Sequence, residues 1–186
     1  DGQRNDVNFP MPGEYSVYNA LAAGGVAMML GVAPQKAAEG LAVSKGVPGR
    51  CEVLYSGDFT VICDFAHTDA AIEKLLGTLR PFVKGRLLVL YGCTGDRDPA
   101  KRAPMSRAAA QYGDIVFLTS DNPRTEDQKT IAEDALPPLL ESGKPYYVEL
   151  DRVKAVGLAL SMLRKGDVLA LCTKGHEDYQ VLNGVT

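Results

Sequence analysis

The chain has 186 residues, 46% of them hydrophobic and 23% charged, with a formal net charge of −3 at pH 7. That length suits one full domain plus a piece of another. The charge balance offers no basic surface for nucleic acid, and no apolar run approaches the ~20 residues that span a bilayer, so neither nucleic acid nor a membrane is an expected partner.

The chain opens on the polar stretch DGQRNDVNF, with no initiator Met and no apolar core of a signal peptide. This predicts a start inside a longer protein. Residues 14–43 read as helical: YNALAAGGVAMMLGV is rich in Ala, Leu and Met, and Pro34 fits the first turn of a second helix, PQKAAEGLA. Gly46, Pro48 and Gly49 in KGVPGR then break the pattern as a linker.

Beyond the linker the texture changes to strand and helix in alternation. Five strands are predicted: FTVICD (59–64), RLLVLYG (86–92), DIVFLTSD (114–121), YYVELD (146–151) and DVLALCTK (167–174). Between them lie four helical stretches, AAIEKLLGTLRPF, PAKRAPMSRAAAQY, EDQKTIAEDALPPLL and VKAVGLALSMLRKG. Continuous apolar strands separated by amphipathic helices predict an α/β fold, a Rossmann-like, mainly parallel sheet with helices on both faces. Helix starts are marked by Asp98-Pro99, by a capping-box spacing at Thr125 and Gln128, and by Asp151. Asn183-Gly184 reads as a hairpin turn.

Cys51, Cys63, Cys93 and Cys172 are widely spaced and form no CxxC motif. They read as buried free thiols of a cytoplasmic protein. With only His67 and His176 as histidines, and neither at ligand spacing to a cysteine, no metal site is predicted.

Ligands of open parallel sheets bind beyond the carboxyl ends of the strands. Four predicted strands run straight into polar clusters there: DFAHTD, GCTGDRD, DNPR and TKGHED. The strand starts carry sparser polar residues, such as Lys84, Arg86 and Asp114. Arg97, Arg124 and Lys174 are thereby set against Asp64, Asp121 and Glu177, a mixture suited to a zwitterion such as an amino acid, or to a phosphate with its metal. Each cluster also has a plain structural reading. DNPR is a good turn in its own right, GCTGDRD a glycine turn opening a helix, Asp64 a helix cap, and the two histidines hydrogen-bonded structural residues.

Taken in order, YSVYNALAA (15–23), KGVPGR (45–50), VICDFAHTD (61–69), YGCTGDRDPAKR (91–102), TSDNPRTEDQ (119–128) and KGHEDYQ (174–180) resemble the Mur ligases, in particular the UDP-N-acetylmuramoyl-tripeptide synthetases of the diaminopimelate-adding type. The likeness covers nearly the whole chain. It implies that residues 1–48 are the tail of the central ATP-binding domain and residues 49–186 the Rossmann-like C-terminal domain that receives the amino acid.

It also implies an ATP-dependent ligation in peptidoglycan synthesis, with ATP and Mg2+ held mainly by earlier parts of the enzyme. The implied partners are meso-diaminopimelate and a UDP-N-acetylmuramoyl dipeptide, the enzyme being a monomer. Carried over by motif, Asn19, Arg50, Asp64 and His67 fall on the nucleotide side. Arg97, Asp121, Asn122, Arg124, Thr173 and Glu177 fall on the amino-acid side. A planar guanidinium at Arg124 suits the second carboxylate that distinguishes diaminopimelate from lysine.

Three positions depart from the family pattern: Ser16 replaces an asparagine, HTPDAL reads as residues 67–72 HTDAAI, and Thr173 replaces the first glycine of GKGHE. A β-branched residue there alters a place of close backbone approach. No GxxxxGK[ST] phosphate loop occurs in these residues, so the chain alone is expected to be inactive. Alternative readings are a ligase with another acceptor, such as a lysine-adding relative, and a binding domain for amino acids or nucleotides without catalysis.

Overall fold

The computed structural model describes residue 4, residues 6–183 and residue 185. By its contacts the chain divides into two compact units, Asp1–Val47 and Pro48–Thr186. The first unit holds two helices, α1 (Glu14–Met29) and α2 (Pro34–Ala42), with Pro34 in the first turn of α2 as expected. Only Ser16 and Ala20 of α1 are buried, whereas Val17, Leu21, Met28 and Met29 are exposed. Among the described residues no helix is long and apolar enough to cross a membrane.

The second unit is a six-stranded sheet of order β1-β2-β6-β3-β4-β5. The five expected strands are β2 (Thr60–Cys63), β3 (Leu87–Cys93), β4 (Ile115–Ser120), β5 (Tyr146–Val148) and β6 (Val168–Leu171), all paired in parallel with their neighbours in this set. The sixth, β1 (Glu52–Ser56), pairs antiparallel to β2 at the sheet's edge. Sequence reading missed it because four of its five residues are exposed, which leaves no alternation of apolar and polar positions.

In the fully buried β3, successive side chains enter opposite layers. Leu87, Val89 and Tyr91 pack with Ile72 and Leu76 of α3 (Asp69–Leu79), Met105 and Ala109 of α4 (Arg102–Tyr112), Ile131 of α5 (Gln128–Ala135) and Leu139 of α6 (Pro137–Ser142). Leu88 and Leu90 face the other way, onto Ala155 and Ala159 of α7 (Arg152–Ser161). Each fully buried Leu or Val contributes about 1.5–3 kcal/mol relative to exposure. The alternation thus anchors both helical layers to one strand.

Two of the three expected caps are present. Asp98 accepts from the Ala100 N–H, and Asp151 from those of Val153 and Lys154. The Thr125–Gln128 capping box is not formed. Asp127 caps α5 through the Lys129 and Thr130 N–H groups, while the Thr125 hydroxyl donates to Asp96 at 2.8 Å. An aspartate immediately before the helix reaches those amides with less chain, and Thr125 lies two residues too early. Of the expected Asn183-Gly184 turn, Gly184 lies outside the described residues; Leu182 and Val185 form an antiparallel bridge across it.

Candidate functional site

The chain leaves β3 outward to β4 and β5, then returns through α7 to place β6 on the other side of β3. Such a reversal parts the loops beyond the strand ends and opens a crevice between them. A cleft of about 450 Å³ lies there. Its walls come from four strand ends: Phe65 and His67 after β2, Cys93, Thr94 and Arg97 around the end of β3, Asp121, Asn122 and Arg124 after β4, and Thr173 and Glu177 after β6. Asp98 and Lys101, with Arg102 and Met105 of α4, complete the lining.

All six residues assigned by sequence to the amino-acid side therefore share one cleft. Of the four assigned to the nucleotide, His67 lines this same cleft. Its Nδ1 lies 3.1 Å from the Phe65 carbonyl oxygen. Asp64 is not among the lining residues. Its two carboxylate oxygens accept the Cys51 and Ala66 N–H groups, each at 2.7 Å, so it ties the β1 and β2 ends together. It does not cap α3 either, where Thr68 accepts from the Ala71 N–H. The guanidinium of exposed Arg50 lies 4.9 Å over the Phe65 ring. Asn19 is exposed on α1, in the first unit.

Backbone conformation at the cleft is unusual. Asp96, Arg124 and Thr173 have φ of 53°, 58° and 74°, in the left-handed region that costs non-glycine residues about 1–3 kcal/mol. The surroundings hold each in place. Arg124 donates its N–H to the Val181 carbonyl at 2.9 Å and accepts from the Asn183 N–H at 2.6 Å. The Thr173 hydroxyl accepts from the Gly92 N–H at 3.2 Å. At Asp96, the N–H bonds Glu126 and the carboxylate takes both Thr125 donors. Gly95 is required where the two loops cross, because a Cβ there would collide with the Pro123 carbonyl.

The charges divide into two kinds. Arg97 donates only to the carbonyl of Asp96, and neither Arg97 nor Arg124 forms an ion pair among the described residues. In particular Arg124 does not pair with Glu126 or Asp127. Glu126 is engaged by Arg102 at 2.6 Å, and Asp127 caps α5. The acids, by contrast, are held. Asp121 accepts from Thr94 at 2.7 Å and lies 3.3 Å from the Lys174 ammonium, which also bonds Glu177 at 3.3 Å and Asn122 at 3.1 Å.

Arg102 Nε and Arg124 Nε are buried without a hydrogen-bond partner, and Asp121 Oδ1 has only the Lys174 ammonium, 3.3 Å away, which marks this wall as incompletely satisfied. Cys93, at the cleft floor, has its thiol pushed up to about 12 by burial, so it is no nucleophile at neutral pH. All four cysteines are free and buried, as expected.

Sequence reading missed two side chains that build this site, and the burial of a third. Arg102 is buried at the start of α4 and pairs with both Glu126 and Asp134. Arg152 donates to the Cys172 carbonyl at 2.8 Å, and burial lowers its pKa. Lys174 is recognisable as a charge in the sequence, but its burial is not, since nothing local marks a lysine enclosed between its own loop and the loop after β4. Among the described residues no three His, Cys, Asp or Glu side chains gather as a metal site.

These features define an α/β domain whose strand-end crevice is lined by both acidic and basic side chains. The model of the Mur ligase, glutamate ligase domain, matches residues 49–175, and the chain belongs to the Mur ligase family. It is 44% identical over 185 residues to a UDP-N-acetylmuramoyl-L-alanyl-D-glutamate–2,6-diaminopimelate ligase of Solibacter usitatus, covering 99% of this chain and 37% of that protein.

A solved structure of a ligase of that name superposes with a TM-score of 0.73 at 36% identity, covering 96% of this chain and 37% of the other. Folylpolyglutamate synthase of Mycobacterium tuberculosis, complexed with ADP, shares the fold with a TM-score of 0.73 at 23% identity over 91% of this chain and 40% of its own. The chain thus spans well under half the length of the relatives it matches.

Proposed function

We propose that this chain forms part of an ATP-dependent ligase that adds meso-diaminopimelate to UDP-N-acetylmuramoyl-L-alanyl-D-glutamate, and that its cleft receives the incoming diaminopimelate. The carrying observation is the pair of guanidiniums, Arg97 and Arg124, that line one cleft with Asp121 and Glu177 and have no carboxylate partner of their own. Unpaired guanidiniums suit carboxylates, and the acids suit ammonium groups. Diaminopimelate has two of each. The names of the relatives support the same reading.

In this reading residues 1–48 are the tail of the ATP-binding domain and residues 49–186 the amino-acid domain. Phosphoryl transfer from ATP, assisted by Mg2+, activates the dipeptide carboxylate as an acyl phosphate. The work of this chain is to hold the amino acid so that its free amine meets that carbon. Arg50 and Asn19 remain exposed for a nucleotide, while both oxygens of Asp64 already carry backbone donors, which makes Asp64 the weakest of the nucleotide residues. ATP and Mg2+ are held mainly outside these residues, so the chain alone binds the amino acid without turning over ATP.

Calorimetry with meso-diaminopimelate and L-lysine tests the reading, with phosphate release followed in parallel. The chain is expected to prefer diaminopimelate, and Arg124→Ala to reduce that preference about ten- to a hundredfold, the worth of a charge-assisted hydrogen bond. Equal affinity for the two amino acids in the wild-type chain sinks the assignment.

A further inference from the structure

Lys174 is a lysine in the wrong place for a ligand-binding cation. Its side chain is 9% exposed, and it reaches from the loop after β6 to Asp121 and Asn122 of the loop after β4. Its ammonium donates to Asn122 Oδ1 at 3.1 Å and Glu177 Oε2 at 3.3 Å, stands 3.3 Å from Asp121 Oδ1, and lies 5.5 Å over the Tyr179 ring. Three acceptors on three side chains already surround its three N–H groups.

The consequence falls on Asn122. A side-chain amide has one oxygen with two lone pairs and one nitrogen with two N–H groups, and a half turn exchanges them. Here the oxygen receives two donors that cannot act as acceptors, the Lys174 ammonium and the Val181 backbone N–H at 3.0 Å. With the amide nitrogen turned inward, an N–H would face an ammonium and another N–H. The oxygen is therefore fixed inward, and the nitrogen, which makes no bond within the protein among the described residues, is the atom left for the cleft that Asn122 lines.

We propose that Lys174 is a positioning residue that sets the hydrogen-bond polarity of the cleft: by capturing the Asn122 oxygen it makes Asn122 a pure donor beside Arg124, selecting a carboxylate over an ammonium at that point. The device extends the proposed function and rests on it only for the identity of the ligand. Without Lys174 the inward orientation of the Asn122 amide is held by one donor instead of two, the Val181 N–H, so the amide turns more readily and offers the cleft an acceptor part of the time. Asp121 and Glu177 also lose the cation between them.

The test begins without ligand. In 15N NMR spectra of the chain, the Asn122 side-chain amide pair is assigned by its disappearance in Asn122→Asp. Lys174→Met is expected to shift or broaden that pair, and Lys174→Arg, which still supplies a donor to the oxygen, to restore it. An unchanged pair in a folded Lys174→Met chain overturns the proposal.

A second comparison avoids altering Lys174. Asn122→Asp keeps an inward oxygen for both donors and loses the outward N–H groups, so it should leave the melting temperature near wild type, whereas Asn122→Ala should lower it. Equal destabilisation by the two means that the nitrogen was inward, and the proposal fails. With meso-diaminopimelate, Lys174→Met and Asn122→Asp should each weaken binding about tenfold or more. The double variant should be no weaker than the worse single one; losses that multiply reject the coupling. A wild-type chain that ignores meso-diaminopimelate yet shows the expected ligand-free spectra removes the ligand assignment and leaves the positioning role standing.

Discussion

The two ends of the sheet are built to different rules. Where strands begin, charges are closed off. Asp167, at the start of β6, accepts the Arg86 and Arg164 N–H groups, each at 2.8 Å, and an Arg86 guanidinium nitrogen at 2.6 Å. Asp114 takes the Leu87 N–H and Arg80, and Lys144 donates to the carbonyls of Ala110, Gln111 and Gly113 around the end of α4. Where strands finish, two guanidiniums lack carboxylates, three non-glycine residues sit at positive φ, and buried polar atoms go unbonded. One end consolidates the fold, and the other holds strain and unspent hydrogen bonds. The strand starts are thus richer in paired charge than their sparse polar residues suggest from sequence.

The largest expected effect tests the closed end. Asp167→Ala strands Arg86 and two backbone amides, and should cost about 3 kcal/mol in denaturant unfolding. Affinity for diaminopimelate should stay within about twofold. A parallel loss of affinity would break the distinction between the two ends.

Acid sharpens the same point. Burial alone would raise the Asp167 carboxyl, but hydrogen bonds from the Arg86 side chain and from backbone amides outweigh it and hold the pKa below the ordinary value. Asp114 is lowered likewise, through Arg80 and the Leu87 amide working against burial. A lowered folded pKa means that the stabilisation is complete above the unfolded pKa of about 3.9 and disappears as pH falls through the folded value. Asp167→Asn should therefore flatten the stability profile below about pH 4 and leave its slope between pH 6 and 8 unchanged.

At the open end, stability and binding should move in opposite directions. Arg124→Gly removes the guanidinium and relieves a left-handed backbone, so affinity should fall about ten- to a hundredfold. Stability should meanwhile rise by roughly 0.5–1 kcal/mol, the strain relieved less the added chain entropy. A loss of stability comparable to that of Asp167→Ala would make Arg124 a structural residue.

The smallest effect concerns Thr173. Thr173→Val keeps the branched side chain but strips the Gly92 N–H of its acceptor, costing about 1–2 kcal/mol, whereas Thr173→Ser should lie close to wild type. If Val is tolerated as well as Ser, the hydroxyl is not what holds this position. Thermal unfolding of the three chains decides it.

What the sequence made legible follows from the same division. β3, β4 and β6 are apolar runs buried on both faces, and such runs announce themselves. β1 is an exposed edge strand and does not. The strand-end geometry of parallel sheets made a ligand site with Arg97, Asp121, Arg124 and Glu177 readable, while the assignment of these residues, and of Asn122 and Thr173, to an amino acid came from the family resemblance. Arg102 and Arg152 escaped notice, as did the burial of Lys174, because a buried cation differs from a solvated one only in its distant neighbours, and those come from other loops. The Thr125–Gln128 spacing misled for a local reason: Asp127, one residue before the helix, competed for the same amides and won.

The strand order carries a temporal consequence. β6, the last of the six along the chain, lies between β2 and β3 and bonds to both. Until residues 168–171 have been synthesised, the sheet exists only as two separate ribbons, β1-β2 and β3-β4-β5, with unpaired inner edges. Chains are made from the N-terminus at about 5–20 residues per second, and open edges of this kind are where growing polypeptides aggregate. Completion of the sheet, and of a cleft that needs all four loops, therefore waits for one four-residue strand.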